Sequence, residues 1–427
     1  MELIIKNGRV ISPEDGLNGR ADIHIKDGRI EQIGDNIQAE GAMVIDAEGL
    51  AVFPGLVDMH AHFREPGFEY KEDILSGSRA AAAGGYTSVC CMPNTKPAAD
   101  NAAVIEYIKK KAEDAFCRVY PIAAITKNQE GRELTEMGEL LQAGAVAFSD
   151  DGKPVESSRM MRLAMQYLKG LQKGFVISHC EDVSLTDGGV MNEGYQSTLL
   201  GLKGAPGAAE ALMVAREGLL AEMLGVHVHI AHVSCAQSIN IIRDFKARGV
   251  KITCETCPHY ICACDEDVDF TNADTKVNPP LRGRADVEEI KRALCQGVID
   301  CISTDHAPHH RDEKNVEFSL AASGISGLET SFALCYTQLV RGGLIEFPRL
   351  LEMMSVSPAR IAGLPAGSLK PGMPADIAIA DLDSPFKIDV NKFYSKGKNN
   401  PFDGREVYGK IKYTLLEGKI VYKSEKE

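Results

Sequence analysis

The sequence lacks several features that would place it in other classes of protein. No apolar run reaches the roughly 20 residues needed to span a bilayer. Residues 1–8 resemble a short strand and turn, not a basic and apolar export signal. Positive charge is scarce, since 47 Lys and Arg stand against 60 Asp and Glu, a net charge of −13. This balance argues against a nucleic-acid or membrane partner, because both require clustered basic residues. We therefore expect a cytoplasmic globular protein.

The middle of the chain alternates short apolar strands with helical patterns. Candidate strands end near His62, Met92, Ala124, Phe148, Ser178, Ala231, Thr253 and Ser303. Helical patterns cover 73–83, 102–115, 157–173, 208–224, 236–248 and 287–295. This α/β alternation predicts a TIM-type (β/α)8 barrel over residues 53–364. The alternative is an open doubly wound sheet, but no Gly-rich dinucleotide loop follows the first strand.

Both ends of the chain are rich in short β-branched segments. Asn7-Gly8 and Asp27-Gly28 lie between such segments near the start, where they predict hairpin turns. Similar segments return at 376–380 and 413–422. Each end is too short for a stable sheet of its own, so residues 1–52 and 365–427 are expected to combine into one small β-sandwich domain.

Polar residues follow nearly every predicted strand of the middle region. His60 and His62 are two residues apart on a strand, so their side chains point the same way and can bind one metal ion. Asp305 would complete this first site, and His179 and His232 would form a second. In a barrel, all these strand ends open onto one face, which is where active sites lie.

A carboxylate between the two ions could bridge them. Asp150 and Asp151 are both candidates, because neighbours on an extended segment point in opposite directions. His227 and His229 form another pair, but they lie within a strand, where a packing or surface role is expected. His259 has no evident partner. Two bridged ions could generate a hydroxide near neutral pH and stabilise an oxyanion.

A cysteine cluster at 254–264 has two interpretations. Cys254, Cys257, Cys262 and Cys264 have some likeness to a structural zinc site. The second pair is separated by a single residue, however, and the first lies at a probable strand. Buried small apolar side chains are therefore the favoured interpretation.

Taken together, the motifs resemble one family closely. They are HAHFREPG from His60, MPNT from Met92, DDG from Asp150, SHCED from Ser178, AHVS from Ala231, VNPPLR from Val277 and STDHAPH from Ser303. This set resembles dihydroorotases of the bacterial long-chain type, in the amidohydrolase superfamily. The likeness spans the chain, from the β-rich start to the segment 367–376. This segment is similar to the one through which chains of the superfamily leave the barrel and re-enter the β-sandwich.

The resemblance implies the fold and the roles of individual residues. It implies two zinc ions, one held by His60, His62 and Asp305 and the other by His179 and His232, with Asp151 as the bridge. Substrate-binding residues would be Arg64, Asn94, Asn278, His309, Ser323 and Gly324. Ser323 departs from the family, which often has an aromatic residue there, so only a backbone contact is expected. The resemblance also suggests a homodimer.

The implied reaction is the reversible interconversion of N-carbamoyl-L-aspartate and L-dihydroorotate in pyrimidine synthesis. A hydroxide bridging the metals would attack the cyclic amide, and Asp305 would be the general acid and base. A hydantoinase or allantoinase is the first alternative, because it would share the barrel and the ions. A catalytically dead scaffold protein is the second, but every predicted metal ligand is present.

Overall fold

The computed structural model describes residues 2–424 of the chain, which form a mixed α/β structure. In chain order, the strands of this part are β1 (Glu2–Ser12), β2 (Leu17–Lys26), β3 (Arg29–Gly34), β4 (Met43–Asp46), β5 (Ala51–Pro54), β6 (Leu56–Ala61), β7 (Tyr86–Cys91), β8 (Arg118–Pro121), β9 (Val176–Ser178), β10 (Met191–Asn192), β11 (Gly204–Ala205), β12 (Val228–Ile230), β13 (Ile252–Thr256), β14 (Cys301–Ile302), β15 (Ile377–Asp381), β16 (Phe386–Lys387), β17 (Glu406–Val407), β18 (Lys410–Leu416) and β19 (Lys419–Lys423).

The α-helices of the same part are α1 (Ile74–Ala83), α2 (Ala102–Lys111), α3 (Met137–Ala143), α4 (Ser158–Leu171), α5 (Val183–Thr186), α6 (Tyr195–Leu200), α7 (Gly207–Leu224), α8 (Ala236–Ala247), α9 (Pro258–Cys262), α10 (Arg284–Gln296), α11 (Arg311–Lys314), α12 (Ser331–Cys335), α13 (Phe347–Leu351) and α14 (Ser357–Ala362). Two π-helical segments, Tyr336–Arg341 and Glu352–Val356, continue α12 and α13. Short 3-10 turns lie at Ala112–Asp114, Lys127–Gln129, Asp265–Asp267, Ala273–Thr275 and Val390–Lys392.

Strands from both ends of the chain form one eight-stranded sheet. Its order is β19-β18-β15-β5-β1-β2-β3, and β4 also pairs with β1. The C-terminal strand β15 is antiparallel to β5 of the N-terminal segment, in register from Ile377 with Pro54 to Ala380 with Ala51. A separate apolar core covers this sheet, with Ile5, Ile23, Ile45, Val52, Ile377, Ile379 and Leu415 among its members. The two β-rich ends therefore stabilise one another.

One of the two predicted hairpin turns is wrong. Asp27-Gly28 does connect β2 to β3, but Asn7 and Gly8 lie inside β1. The register of β1 against β2 shifts between Ile5 and Gly8, and Asn7 has a positive φ of 64°. The Asn-Gly pair thus forms a β-bulge, which needs the same left-handed backbone as a tight turn.

Apart from the short parallel pair of β10 and β11, two parallel sheets occupy the middle of the described chain. One has the order β6-β7-β8, and the other has the order β14-β13-β12-β9. Single-residue bridges lie beside both edges. Ala123 pairs with Phe148 and Phe148 pairs with Val176 on one side, and Ala61 pairs with His306 on the other. The carboxyl ends of these strands therefore point towards one region.

The helices lie where the apolar periodicity predicts them. Six helices, α1, α2, α4, α7, α8 and α10, match the six predicted stretches to within a few residues at each end. Asp73 and Ser157 cap α1 and α4 by accepting hydrogen bonds from the backbone N–H groups of Ser76 and Met160. Within residues 2–424, no helix combines the length and the apolar character that crossing a membrane requires.

Candidate active site

The end of β6 places two histidines on the same side of the strand. The Nε2 atom of His60 lies 3.4 Å from a carboxylate oxygen of Asp151 and 3.5 Å from one of Asp305. The Nε2 atom of His62 lies 3.1 Å from Asp305 and 3.5 Å from Asp151. Both rings are buried. The alternation of side chains along a strand therefore has the predicted effect, since both imidazoles face the same two carboxylates.

Two further histidines also lie close to Asp151. His179 directly follows β9, and His232 comes two residues after β12. The Nδ1 atom of His179 and the Nε2 atom of His232 each lie 3.5 Å from the same oxygen of Asp151. The two ring nitrogens are 2.8 Å from one another. The structure thus brings together all six predicted metal ligands, which come from the ends of four strands and from the extended segment that follows Phe148.

The structure distinguishes the two neighbouring aspartates of the DDG motif. Asp151 lies between the four histidines, whereas Asp150 points into the loop that follows β8. There, Asp150 accepts hydrogen bonds from the N–H group of Ile125 at 2.8 Å and from the N–H and hydroxyl groups of Thr126. Asp150 therefore fixes the loop, and Asp151 is the carboxylate available to a metal.

Three residues of the site have a left-handed backbone, which is strained for residues other than glycine. They are Arg64, His232 and Asp305, with φ values of 62°, 35° and 46°. Such strain persists only where the surrounding structure holds it, and it is concentrated at functional sites. In these three residues, the left-handed backbone changes the direction of the chain shortly after a strand ends.

Outer hydrogen bonds orient the histidines. The Nδ1 atom of His60 lies 2.8 Å from Glu255 Oε1, and the Nδ1 atom of His62 lies 2.9 Å from Asn94 Oδ1. The Nε2 atom of His179 lies 2.9 Å from Glu181. Bonds of this type fix the ring orientation and raise the basicity of a metal-binding histidine.

The surrounding charges keep both central carboxyl groups ionised. Burial alone would raise the pKa of Asp151, but His60, His179 and His232 hold it well below its ordinary value. Burial opposes ionisation of Asp305 in the same way, yet the contact with His62 and the charge of His60 lower its pKa to about 2.

A cavity of about 240 Å³ opens above these groups. All the predicted substrate-binding residues line it, namely Arg64, Asn94, Asn278, His309, Ser323 and Gly324. Of the six predicted metal ligands, His60 alone is not part of the lining, because it lies beneath the others at the bottom of the site.

Arg64 and His309 lie side by side in the cavity wall. The Nε–H group of Arg64 donates to Pro308 O at 3.2 Å, and its Nη2 atom lies 3.3 Å from His309 Nε2. Burial lowers the pKa of His309 to about 3, and the positive charge of Arg64 acts in the same direction. His309 is therefore a neutral imidazole near neutral pH, and its Nε2 atom lies 2.9 Å from Ser323 O.

Gly324 lies in the cavity wall, where its backbone passes close to the backbone of Ala307. Its φ is 148°, and a Cβ atom there would lie 2.6 Å from Ala307 O. No other residue type fits this position without displacing backbone. The carbonyl oxygen of Ser323 lies 2.9 Å from His309 Nε2, and a contact of Ser323 with the substrate stays a prediction.

The donor set fits divalent metal ions. His60 Nε2 and Asp151 Oδ1 are buried atoms without a hydrogen-bond partner among the residues described. Buried polar groups are ordinarily satisfied, so unpaired atoms that face one another indicate a missing ion or water. Two groups of potential ligands converge here, His60 with His62 and Asp305, and His60 with Asp151 and His232. Imidazole and carboxylate are ligands that zinc accepts.

Several residues of the site have no strong signal in the sequence. Glu255 lies within β13 but is fully buried against His60. Asn399 belongs to the C-terminal segment, yet it accepts a hydrogen bond from the N–H group of His309 and donates to Ala307 O and Gly324 O. The signal for Glu255 is an acidic residue inside a short strand whose other members are apolar residues or threonines. No local pattern marks Asn399.

The remaining histidines and the cysteines have other surroundings. His229 is buried beneath the site, 3.3 Å from Glu255 Oε2, and His227 bonds Thr253. His259 is buried, and one of its ring nitrogens lies within 4.8 Å of ligand atoms of Cys257 and Asp305. The cysteines at 254, 257 and 264 are buried and Cys262 is half-buried, as expected of small apolar residues. Across residues 2–424, these four thiols do not form a common metal-binding group.

Comparisons with known proteins show the family to which the chain belongs. The family model described as dihydro-orotase-like matches residues 49–238. A dihydroorotase of Acetivibrio thermocellus is 54% identical over 420 residues, covering 98% of both chains, and one of Citrifermentans bemidjiense is 52% identical over 99% of this chain and 100% of its own. Among solved structures, L-hydantoinase (dihydropyrimidinase) from Arthrobacter aurescens has a TM-score of 0.89 at 28% identity, covering 99% of this chain and 96% of the other. The chain belongs to the dihydroorotase family of cyclic amidohydrolases.

Proposed function

We propose that this protein interconverts N-carbamoyl-L-aspartate and L-dihydroorotate in the synthesis of pyrimidines. The observation that carries the proposal is a group of four histidines and two aspartates at and beneath the base of one cavity, with a half-buried arginine in the cavity wall. The base suits hydrolysis of a cyclic amide, and Arg64 suits the carboxylate that both substrates bear.

The same proposal includes the barrel. The two parallel sheets and the single-residue bridges beside their edges support a closed (β/α)8 barrel over residues 53–364. The shared sheet supports a composite β-domain from residues 1–52 and 365–427. Location in the cytoplasm and assembly as a homodimer are proposed on the family resemblance.

We assign two zinc sites to the six ligands. His60, His62 and Asp305 would hold one ion, His179 and His232 would hold the other, and Asp151 would contact both. The buried unpaired atoms His60 Nε2 and Asp151 Oδ1 support this assignment. When bound, the ions would activate water and polarise the amide carbonyl.

Asp305 is the residue proposed to move the proton. Its pKa of about 2 keeps it ionised near neutral pH, so it can accept a proton from the attacking water during ring opening. It would then deliver this proton to the ring nitrogen as the amide C–N bond breaks. For ring closure the steps are reversed, and Asp305 must begin protonated.

The cavity wall is proposed to hold the substrate. Arg64 offers a planar fork of N–H donors, which matches a carboxylate. Asn278 lines the same cavity, and its side-chain amide donates a hydrogen bond to Glu181 at 2.9 Å. His309, being neutral, can bind a substrate oxygen without adding a second full charge. The wall is therefore cationic at one point and otherwise neutral.

A hydantoinase activity is the second candidate, because the solved structure quoted above is an L-hydantoinase. Hydantoin itself carries no carboxylate. On binding hydantoin, the half-buried Arg64 would lose water without gaining a charged partner, which costs free energy. Sequence identity also favours the first candidate, because the chain is 54% identical to the dihydroorotase quoted above and 28% identical to the L-hydantoinase.

The test is a substrate panel combined with metal analysis of the purified protein. We expect turnover of L-dihydroorotate, weak or no turnover of hydantoin and dihydrouracil, and close to two zinc ions per chain. Chelation should abolish activity, and added zinc should restore it. Preferred turnover of hydantoin would replace the proposed function, and a protein with neither metal nor activity would be a scaffold.

A further inference from the structure

Lys314 is a buried lysine next to the cavity that the proposed mechanism does not use. It ends α11, the short helix that begins two residues after His309. Its ammonium group donates to Ala322 O at 2.9 Å, to Gly324 O at 3.1 Å and to Lys276 O at 3.4 Å. These three acceptors are neutral backbone carbonyl groups. A charged group rarely lies buried on such acceptors unless it has a structural or functional purpose.

The three carbonyl groups belong to the two loops that form the cavity wall. Lys276 directly precedes Val277 and Asn278, which line the cavity, and Ala322 directly precedes Ser323 and Gly324, which also line it. A backbone bond from Gly324 N to Lys276 O, at 2.9 Å, joins the same loops. The ammonium group thus lies behind the wall and connects its two halves.

The charge of Lys314 also reaches the cavity. Together with burial and with Arg64, it contributes to the low pKa of His309. A positive charge behind a wall of neutral groups would attract an anionic substrate without forming a direct contact. Both effects act on substrate binding and leave the metal ligands untouched.

We propose that Lys314 is a positioning residue, which ties the 276–278 and 322–324 loops together and makes the cavity favourable for an anionic substrate. The effect on substrate binding rests on the proposed function. The contact between the two loops rests on the geometry alone. We therefore expect an effect on KM with little change in kcat, because the ammonium group bonds carbonyl groups of the two loops and none of the proposed metal ligands.

The first test needs no substrate. Amide hydrogen exchange over residues 319–326 should be faster in Lys314→Met than in the wild type, because the variant lacks the three tying bonds. Lys169→Met is the control, since Lys169 also donates to a backbone carbonyl, Leu224 O at 2.6 Å, but neither residue belongs to the two loops of the cavity wall. Unchanged exchange in Lys314→Met would overturn the inference, whether or not dihydroorotate is a substrate.

The second test measures turnover of L-dihydroorotate. Lys314→Met should raise KM roughly tenfold, because the two loops lose a charge-assisted contact and the cavity loses a nearby positive charge, while kcat and zinc content stay within about threefold of the wild type. Lys314→Arg keeps the charge and should recover part of the loss. A KM equal to that of the wild type, or a loss confined to kcat, would contradict the inference.

The pH dependence gives a further readout that general destabilisation would not reproduce. Burial lowers the pKa of Lys314 to about 8, with the nearby charge of Asp274 opposing the shift and that of Lys276 adding to it. His309, with a pKa of about 3, does not titrate in this range. The ratio of kcat/KM between the wild type and Lys314→Met should therefore fall as the pH rises through 8. A ratio that stays constant from pH 7 to 9 would exclude the charge effect and overturn this part of the proposal.

Discussion

Replacing Glu255 with Gln tests whether the metal site depends on a residue beneath it. The Oε1 atom of Glu255 lies 2.8 Å from His60 Nδ1, and its other oxygen accepts a hydrogen bond from Ser303. Burial opposes ionisation of this carboxyl group, but contacts with His229 and His60 hold its pKa well below the ordinary value. Glu255 therefore presents a full negative charge to the imidazole, and this charge makes His60 a stronger ligand.

The expected magnitude follows from the loss of that charge. Gln has the same shape and can still accept a hydrogen bond, so the ring should keep its position. Loss of such an outer partner weakens metal binding or activity about 10–100-fold, which corresponds to about 1.4–2.7 kcal/mol. We expect zinc affinity to fall by this factor in Glu255→Gln. Because excess zinc refills the site by mass action, it should restore most of kcat.

The assay is a zinc competition titration against a chromophoric chelator, followed by kinetics at low and at saturating zinc. Glu217→Gln is a suitable control, because Glu217 is also fully buried but bonds Ser178 and Arg216. If Glu255→Gln bound zinc as tightly as the control variant, the carboxylate would not act on His60, and the reasoning would be refuted.

Three other substitutions have defined outcomes. Arg64→Lys keeps the charge but loses the fork, so KM for both substrates should rise by the equivalent of about 1.5–3 kcal/mol; an unchanged KM would show that Arg64 does not bind the carboxylate. Asp305→Asn cannot carry a proton, so kcat should fall at least ~100-fold in both directions while some zinc is retained. Burial raises the pKa of Glu329 to about 7. Its folded pKa exceeds its unfolded value, so stability is lost as the pH rises towards 7 and above, and Glu329→Gln should raise the melting temperature at pH 8 but not at pH 4.

The residues of the site could be predicted from the sequence because they follow the ends of strands. His60, Asp151, His179, His232 and Asp305 are far apart along the chain, but each lies at or shortly after the end of a parallel strand or extended segment. Parallel strands in this arrangement bring their carboxyl ends to one face, so the strand pattern and the polar motif together predict proximity. Local patterns also predicted the main helices, whose apolar periodicity and capping residues are visible in sequence.

Other features depend on contacts that no local pattern encodes. Asn7-Gly8 was expected to form a turn, but the same positive φ is used within β1 for a bulge, and only the partner strand decides between the two. The sequence left Asp150 and Asp151 equivalent until a family resemblance separated them. The structure supplies the physical reason, since the loop after β8 offers N–H groups that hold Asp150 away from the cavity.

The cavity wall shows why such contacts matter to function. Asn399 lies in the C-terminal segment that was expected to form part of the β-domain, yet its side chain bonds His309, Ala307 and Gly324 at once. Lys314 holds Gly324 from the other side through its ammonium group. The carbonyl group of Gly324 is thus fixed by two donors, from residues 75 and 10 positions away. Because the metal ligands require neither donor, the structure separates the part that performs the chemistry from the part that shapes the substrate wall, and substitutions in the C-terminal segment should alter binding before they alter the chemical step.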